Sequence, residues 1–383
     1  MNNYLNSITS PLAIVIADRV RQMESRGKKI AKLQTGDPHF PTPAYIVKAL
    51  QTAITDGETH YSTSQGVLSI RNALSSYYKK ETRQYLDADN FLICNGAVHA
   101  IYCVMHALIN KGDEVAVVDP SWPQYKNIAL LAGATLKEIS THNLSGRLSV
   151  ELLKKNLSKN TKLVVINNPC NPTGVVYDEK EINQFVKLAK RFNCYILFDE
   201  VYAKILYTNK FKSILECSEY NGYKEKIVYI NSFSKTFSMT GWRVGYAYCS
   251  DKLLPASLRI SQNMITNVAT FCQHAAAEAL NGCDKFRSVL QEMVTKYKRR
   301  HSEIGSILSK KKFNYIIPEG AFYFFIDVKS DGIEFAKKLL KQHNIAVVPG
   351  IAYGEEFSSF IRVSFAVDNF SYNTFIHWLK QQQ

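Results

Sequence analysis

Apolar segments alternate with amphipathic ones through the middle of the chain, and this alternation strongly limits the folds open to it. Four apolar runs have the length and composition of buried strands: 114–119, 163–167, 195–199 and 227–230. Segment 179–192, between two of these runs, has the spacing of a helix that crosses over a sheet. The sequence therefore predicts an α/β fold with a mainly parallel central sheet and helices on both faces. Segments 321–326 and 345–348 indicate further strands in the C-terminal part.

Composition and charge exclude several classes of protein. A hydrophobic content of 46% and a charged content of 21% are ordinary for a globular chain of 383 residues. No apolar run approaches the ~18 residues of a membrane span, and residues 1–10 lack the order of a signal peptide. We therefore expect a cytoplasmic protein without a membrane partner. The net charge of +14 comes from dispersed basic residues without a recognition motif, so no nucleic-acid partner is predicted.

Cysteine and histidine give little functional signal. The eight cysteines are scattered, with no Cys-x-x-Cys and no paired histidine spacing. They are expected to be reduced, mostly buried thiols, and no metal site is predicted. His99 is expected to be a structural residue with satisfied hydrogen bonds, and no histidine is assigned a catalytic role.

Two of the apolar runs end in polar residues. Run 163–167 leads into Asn168-Pro169-Cys170-Asn171-Pro172-Thr173-Gly174, and run 195–199 ends at Asp199, shortly before Tyr202. Open α/β sheets bind ligands at the carboxyl edge, where such side chains collect. A carboxylate in this position can pair with a protonated ring nitrogen. Taken alone, however, Asp199 also suits a helix N-cap, and 168–174 an ordinary turn.

Lys235 lies among small hydroxyl residues, Ser232 and Ser234, and Arg243 follows eight positions later. A partly desolvated lysine with a lowered pKa can form a Schiff base with an aldehyde. The hydroxyls and the guanidinium suit a phosphate dianion. An aldehyde and a phosphate on one ligand describe pyridoxal 5′-phosphate (PLP). The alternative for an isolated lysine is a solvated surface charge.

These segments together resemble a known family. The chain is similar to the class I/II aminotransferases, the aspartate-aminotransferase-like group of fold-type-I PLP-dependent enzymes. The similarity extends from Gly36 to Arg362 and rests on four motifs in the family's order: Asn-Pro-Cys-Asn-Pro-Thr-Gly (168–174), Asp-Glu-Val-Tyr (199–202), Ser-Phe-Ser-Lys-Thr-Phe-Ser-Met-Thr-Gly-Trp-Arg (232–243) and Arg-Val-Ser-Phe (362–365).

The resemblance implies a PLP site assembled from many segments. Residues expected to bind the cofactor are Gly96, Ala97, Val98, Trp122, Asn171, Asp199, Tyr202, Ser232, Ser234, Lys235 and Arg243, with Tyr61 reaching in from a neighbouring subunit. Lys235, Asp199 and Tyr202 are expected to be catalytic. Residues expected to bind the substrate are Gly36, Trp122, Asn171 and Arg362. The resemblance also implies a cis peptide bond between Asn171 and Pro172.

The same resemblance implies how the chain is organised. A large PLP-binding domain is expected over 46–280, and a smaller α+β domain is expected from 1–45 together with 281–383. Because Tyr61 is expected to cross to a partner's phosphate, the functional unit is expected to be a homodimer with shared active sites.

The implied function is transfer of the amino group of an L-amino acid to a 2-oxo acid. The alternative on the same scaffold is a PLP enzyme that eliminates, cyclises or oxidises a modified amino acid. A binding module that has lost turnover is a third possibility, which the intact Lys235, Asp199 and Arg362 argue against. One bacterial aspartate-using branch has a lysine where this chain has Val98, which argues for a side chain other than aspartate. No other partner for a distal carboxylate stands out in the sequence.

Overall fold

The computed structural model describes residue 8 and residues 10–382. Its strands are β1 (Ala31–Lys32), β2 (Phe91–Cys94), β3 (Glu114–Asp119), β4 (Thr135–Ser140), β5 (Thr161–Asn167), β6 (Tyr195–Asp199), β7 (Ile227–Ser232), β8 (Gly245–Tyr248), β9 (Asn314–Ile316), β10 (Tyr323–Asp327), β11 (Ile345–Ala346), β12 (Val348–Pro349) and β13 (Phe360–Ser364). Its α-helices are α1 (Leu12–Glu24), α2 (Ala44–Thr55), α3 (Leu68–Thr82), α4 (Gly96–Leu108), α5 (Gln124–Leu131), α6 (Val150–Asn156), α7 (Glu179–Phe192), α8 (Phe233–Thr236), α9 (Leu254–Met264), α10 (Thr270–Asn281), α11 (Cys283–Lys310), α12 (Gly332–His343) and α13 (Asn369–Gln381).

The largest sheet has seven strands in the order β2-β8-β7-β6-β5-β3-β4. Strands β4, β3, β5, β6 and β7 are parallel, and β8 is antiparallel to both of its neighbours. The four apolar runs of the sequence are β3, β5, β6 and β7. The prediction of an α/β fold with a mainly parallel sheet is therefore confirmed.

Helices cover both faces of this sheet. Successive side chains of a strand point to opposite faces, so each strand contributes to two apolar clusters. On β5, Val164 and Ile166 pack into one apolar cluster with α7 and α10, whereas Leu163 and Val165 pack into a second cluster with α4 and α9. Burial on both faces explains why these strands read as continuous apolar runs. The predicted crossover helix is α7, which begins at a capping box formed by Asp178 and Glu181.

The C-terminal part contains a second sheet, which is antiparallel and has the order β12-β13-β10-β9. The predicted strand at 321–326 corresponds to β10. The strand signal at 345–348 is confirmed, but it covers two short strands: Ile345–Ala346 pairs with β1 as a separate two-stranded sheet, and Val348–Pro349 pairs with β13. The chain changes sheets at Val347, a step that an apolar tetrapeptide cannot reveal.

The pairing of β1 with β11 joins the N-terminal segment to the C-terminal part of the chain. Because β1 leads directly into Gly36, this pairing brings residues from both ends of the sequence beside the large sheet. The predicted cis peptide bond between Asn171 and Pro172 is confirmed. Among the described residues, none of the helices combines the length and apolar character that a membrane span requires.

Candidate active site

A cavity of about 390 Å³ opens where β5, β6 and β7 end, with Asn167, Asp199 and Ser232 on its wall. Predicted site residues that line it are Gly36, Ala97, Val98, Trp122, Asn171, Asp199, Tyr202, Ser232, Ser234, Lys235, Arg243 and Arg362. The carboxyl edge of a parallel sheet is the expected position for a ligand site. The fold therefore brings together segments from nearly the whole length of the chain.

Lys235 lies on the one-turn helix α8, which follows β7 directly. Its Nζ donates a hydrogen bond of 2.6 Å to the carbonyl oxygen of Gly36. Burial lowers the pKa of Lys235 to about 8, and the positive charges of Arg362 and Arg243 act in the same direction. An amine with this pKa is partly unprotonated near neutral pH and can act as a nucleophile or base.

Asp199 is the last residue of β6, which pairs with β7, the strand that leads into α8 and Lys235. Only 2% of the surface of Asp199 is exposed. Its carboxylate accepts hydrogen bonds from the Tyr125 hydroxyl (2.6 Å) and the Val201 N–H (3.1 Å). Burial raises the pKa of Asp199 to about 6, while these hydrogen bonds and the charge of Lys235 oppose that rise. The group is thus a buried anion at neutral pH, and a cation brought beside it would be stabilised.

The N-terminus of α4 and Arg243 converge at another part of the wall. The Asn95 side chain does not cap α4, so the first N–H groups of the helix are open to an anion. Gly96 has φ +77°, and a Cβ added there would lie 2.6 Å from Nη2 of Arg243. Only glycine therefore lets the guanidinium approach the helix start so closely. The buried Ser232 and Ser234 line the cavity too.

Arg362, on β13, is a buried cation with 4% of its surface exposed. Nη2 donates to the carbonyl oxygen of Gln34 (2.5 Å) and Nη1 to Oδ1 of Asn171 (3.3 Å), whereas Nε has no partner. The guanidinium also lies over the ring of Tyr323, at 4.4 Å from its centroid. A buried guanidinium whose recorded partners are neutral is suited to bind a carboxylate from a ligand.

These features fit PLP. The open N–H groups of α4 with Arg243 offer a dianion site, and Lys235 offers an amine for an aldehyde. Asp199 offers a buried carboxylate for a ring nitrogen, and Trp122 lies on the same wall. Each of these groups is complementary to a different part of the cofactor, and the combination identifies PLP more specifically than any one of them alone.

Two predicted residues lie outside the cavity wall. Gly96 lies at the start of α4, behind the wall formed by Ala97 and Val98. Tyr61 is 85% exposed and does not reach the cavity of its own chain. A residue that serves a partner's site has this position in an isolated chain.

Sequence reasoning missed several side chains that line the cavity, among them Tyr125, Tyr323, Tyr353 and Arg21. Tyr125 was detectable in principle, because it follows Trp122 by only three positions, and the two ring centroids lie 5.3 Å apart. The hydroxyls of Tyr202 and Tyr323 lie 2.9 Å apart. This contact joins the two sheets, so no local pattern could have shown it.

Cys94, His99 and Cys103 form a buried group whose side-chain nitrogen and sulfur atoms lie within 4.8 Å of one another. His99 and Cys103 are four residues apart on α4, a spacing that could have revealed the group. Nδ1 of His99 accepts a hydrogen bond from the Asn95 N–H (3.2 Å), and Nε2 meets no partner within hydrogen-bonding distance. The expectation of a fully satisfied His99 is therefore wrong.

Comparisons with known proteins agree with this geometry. The family described as "Aminotransferase class I and II" matches residues 28–377. An aspartate aminotransferase of Thermotoga maritima is 36% identical, over 91% of this chain and 90% of the relative. A (5-formylfuran-3-yl)methyl phosphate transaminase of Methanocaldococcus jannaschii is 35% identical, over 90% and 89%. The solved structure of Thermus thermophilus aspartate aminotransferase with maleate is 25% identical, with a TM-score of 0.93 over 100% of this chain and 99% of that one.

The lowered pKa of Lys235 predicts how fast PLP reacts with the cofactor-free protein. Only the unprotonated amine attacks an aldehyde, so the rate should rise about tenfold per pH unit at low pH and level off above the pKa of about 8. Stopped-flow absorbance across this pH range measures the rate, with Lys235→Ala as the control for surface lysines. A rate that keeps rising toward the pKa of an ordinary lysine would contradict the prediction.

Proposed function

The chain belongs to the class I and II aminotransferases and is a PLP-dependent enzyme that transfers amino groups, and from this premise we propose a role for each group in the cavity. The names of the similar proteins given above all describe amino-group transfer, so the comparisons do not favour the alternative of elimination, cyclisation or oxidation.

The cofactor is proposed to be held by its phosphate at the N–H groups of Gly96, Ala97 and Val98. Arg243 adds a positive charge there, since its guanidinium lies against Gly96, and Ser232 and Ser234, which line the same cavity, add hydroxyl donors. When bound, PLP supplies an electrophilic aldehyde and a ring that withdraws electrons from the substrate Cα. The Trp122 ring is proposed to cover one face of the cofactor ring and to exclude water from it.

Lys235 is proposed to be the residue that holds the cofactor and then moves the proton. With PLP bound, the unprotonated Nζ would take the proton from the substrate Cα, and the protonated Nζ would return it. The lowered pKa supports this role, because a base titrating near the working pH is unprotonated before the step and able to return the proton after it.

Asp199 and Tyr202 are proposed to tune the ring of the cofactor. The Asp199 carboxylate keeps the ring nitrogen protonated, and the Tyr125 hydroxyl fixes its orientation through the 2.6 Å hydrogen bond. Tyr202 and Asn171 donate to the ring oxygen. Burial raises the pKa of Tyr202 well above its usual range, so its hydroxyl keeps its proton and remains a donor.

Arg362 is proposed to bind the α-carboxylate of the amino acid, with Gly36, Asn171 and Trp122 completing the substrate site. The unpartnered Nε supports this role, because it leaves a buried donor for a substrate oxygen. A planar guanidinium can form two parallel hydrogen bonds to a carboxylate and so fix the orientation of the Cα–H bond.

The substrates are proposed to be an L-amino acid and a 2-oxo acid. Relatives named as aspartate aminotransferases, and the maleate in the Thermus thermophilus structure, support an acidic substrate. The expectation from Val98, that a side chain other than aspartate is preferred, stays a prediction. That prediction does not take into account Arg21, a cation on the cavity wall.

The domain division at 46–280, with 1–45 and 281–383 as the second domain, is also proposed here. The separate sheets and the pairing of β1 with β11 support it. A cytoplasmic location is proposed as well, supported by the reduced state of the described cysteines.

A homodimer with shared sites is proposed from the segment that carries Tyr61. The segment is held in place, because the Thr270 hydroxyl donates to the carbonyl oxygen of His60 (2.8 Å). Tyr61 nevertheless projects into solvent with 85% of its surface exposed. A firmly anchored segment that presents an exposed aromatic ring suits a contact with a second copy of the chain.

Sedimentation should therefore give twice the chain mass of 43.5 kDa. Tyr61→Phe should keep the dimer but weaken PLP binding by roughly tenfold, the size expected for one lost hydrogen bond to a charged group. Tyr85→Phe, at another exposed tyrosine, is the matched control and should leave binding unchanged. An active monomer, or equal PLP affinity in both variants, would count against shared sites.

Amino-group transfer with Lys235 at its centre is tested in a single turnover. The PLP-loaded enzyme is mixed with one amino acid at a time, and release of the matching 2-oxo acid is measured. Wild type should release one equivalent and then pass the amino group to an added second 2-oxo acid. Lys235→Ala should do neither, while Lys252→Ala, at an exposed lysine, should behave as wild type. If no amino acid yields a 2-oxo acid with wild type, the proposed transfer is wrong.

A further inference from the structure

The cavity contains one cation that the proposed function leaves without a role. Its positively charged lining residues, among those described, are Arg21, Lys235, Arg243 and Arg362. The last three serve the proton transfer, the phosphate and the α-carboxylate. Arg21 remains, and it is absent from every motif that the sequence presented.

Arg21 belongs to the face of α1 that borders the cavity. Ala13, Ile14, Ala17 and Arg21 all line the cavity wall. Ala13, Ala17 and Arg21 follow one another by four residues, and Ile14 precedes Ala17 by three, so all four lie along one side of the helix. The first three are small or apolar. This face of the cavity therefore presents methyl and methylene groups and a single guanidinium.

The contacts of Arg21 leave its guanidinium available. Within residues 10–382 its ion-pair partner is Asp18, one turn earlier on the same helix. The two side chains are 72% and 58% exposed, and an exposed pair of this kind contributes little to stability. Exchange of the Asp18 carboxylate for a ligand carboxylate therefore costs little. A ligand that displaces water from the cavity also strengthens the new pair.

The acidic side chains on the cavity wall do not compete with a ligand for Arg21. The two carboxylates on the cavity wall are Asp37 and Asp199. Asp37 accepts a hydrogen bond from the Thr240 hydroxyl (2.7 Å), and Asp199 is bonded to Tyr125. Neither has a recorded contact with Arg21, so among the described residues the carboxylate that a ligand anion has to displace there is that of Asp18.

We infer that Arg21 determines specificity by receiving the side-chain carboxylate of a dicarboxylic amino acid or 2-oxo acid. The inference rests on the proposed function, in which Arg362 holds the α-carboxylate and leaves the side chain to reach α1. The argument from Val98 against an acidic substrate then no longer holds, because Arg21 supplies the positive charge that is missing at position 98.

The test compares three variants of the PLP-loaded enzyme. Arg21→Gln removes the charge, and Arg21→Lys keeps it without the planar fork. Arg19→Gln is the matched control: it removes the same charge from the same helix, but Arg19 is exposed and faces the groove between α1 and α12 instead of this cavity. The readouts are kcat/KM for aspartate, glutamate, leucine and phenylalanine, and the Kd of maleate, an unreactive dicarboxylate, by spectral titration.

Arg21→Gln should lower kcat/KM for aspartate and glutamate, and weaken maleate binding, by roughly 10- to 100-fold, the range for a lost charged hydrogen bond. Leucine and phenylalanine should change less than about twofold, because they place no charge at this end of the site. Arg21→Lys should fall between wild type and Arg21→Gln, and Arg19→Gln should match wild type.

Equal losses for acidic and apolar substrates, or equal losses in Arg19→Gln, would overturn the role of Arg21. The maleate titration does not depend on turnover. If wild type transfers no amino group but binds maleate through Arg21, the proposed function fails and the dicarboxylate site stands. If wild type does not bind maleate, the dicarboxylate site itself is refuted.

Discussion

The position of Lys235 in a buried, positively charged cavity is the constraint around which the site is organised. Burial lowers its pKa to about 8, with the charges of Arg362 and Arg243 acting in the same direction and those of Asp37 and Asp199 opposing them. A lysine in water stays protonated near neutral pH and is a poor nucleophile. The chemistry of this enzyme therefore depends on a fold that holds one amine and two guanidinium groups within reach of one another.

The fold meets this condition by joining two sheets at one edge. Asp199 and Lys235 come from the ends of neighbouring parallel strands, β6 and β7. Arg362 comes from the antiparallel sheet, and Gly36 follows β1, which pairs with β11. The hydrogen bond between the Tyr202 and Tyr323 hydroxyls connects the two sheets at the cavity wall. Substitutions that shift one sheet against the other are expected to alter the pKa of Lys235 as well as substrate binding.

Local sequence patterns predicted the large sheet and the polar strand ends, whereas residues such as Gly36, Trp122 and Arg362 were expected from the resemblance to the family. A buried strand reads as an apolar run, and a turn after it marks where side chains such as Asn171 and Asp199 collect. The residues that were missed depend on packing between distant segments. Tyr353 and Arg21 reach the cavity from a 3₁₀ turn and from α1, and neither position carries a local signature. The division of the strand segment 345–348 into two strands was not predicted for the same reason, since its halves pair with partners far apart in the chain.

The attachment of the cofactor to Lys235 is tested most directly by borohydride reduction of the PLP-loaded protein, which makes the Schiff base permanent. Digestion and mass spectrometry then locate the modified residue among the lysines of the chain. The label is predicted on the peptide that contains Lys235, at one per chain. A label on any other lysine, or none on Lys235, would contradict the site described here.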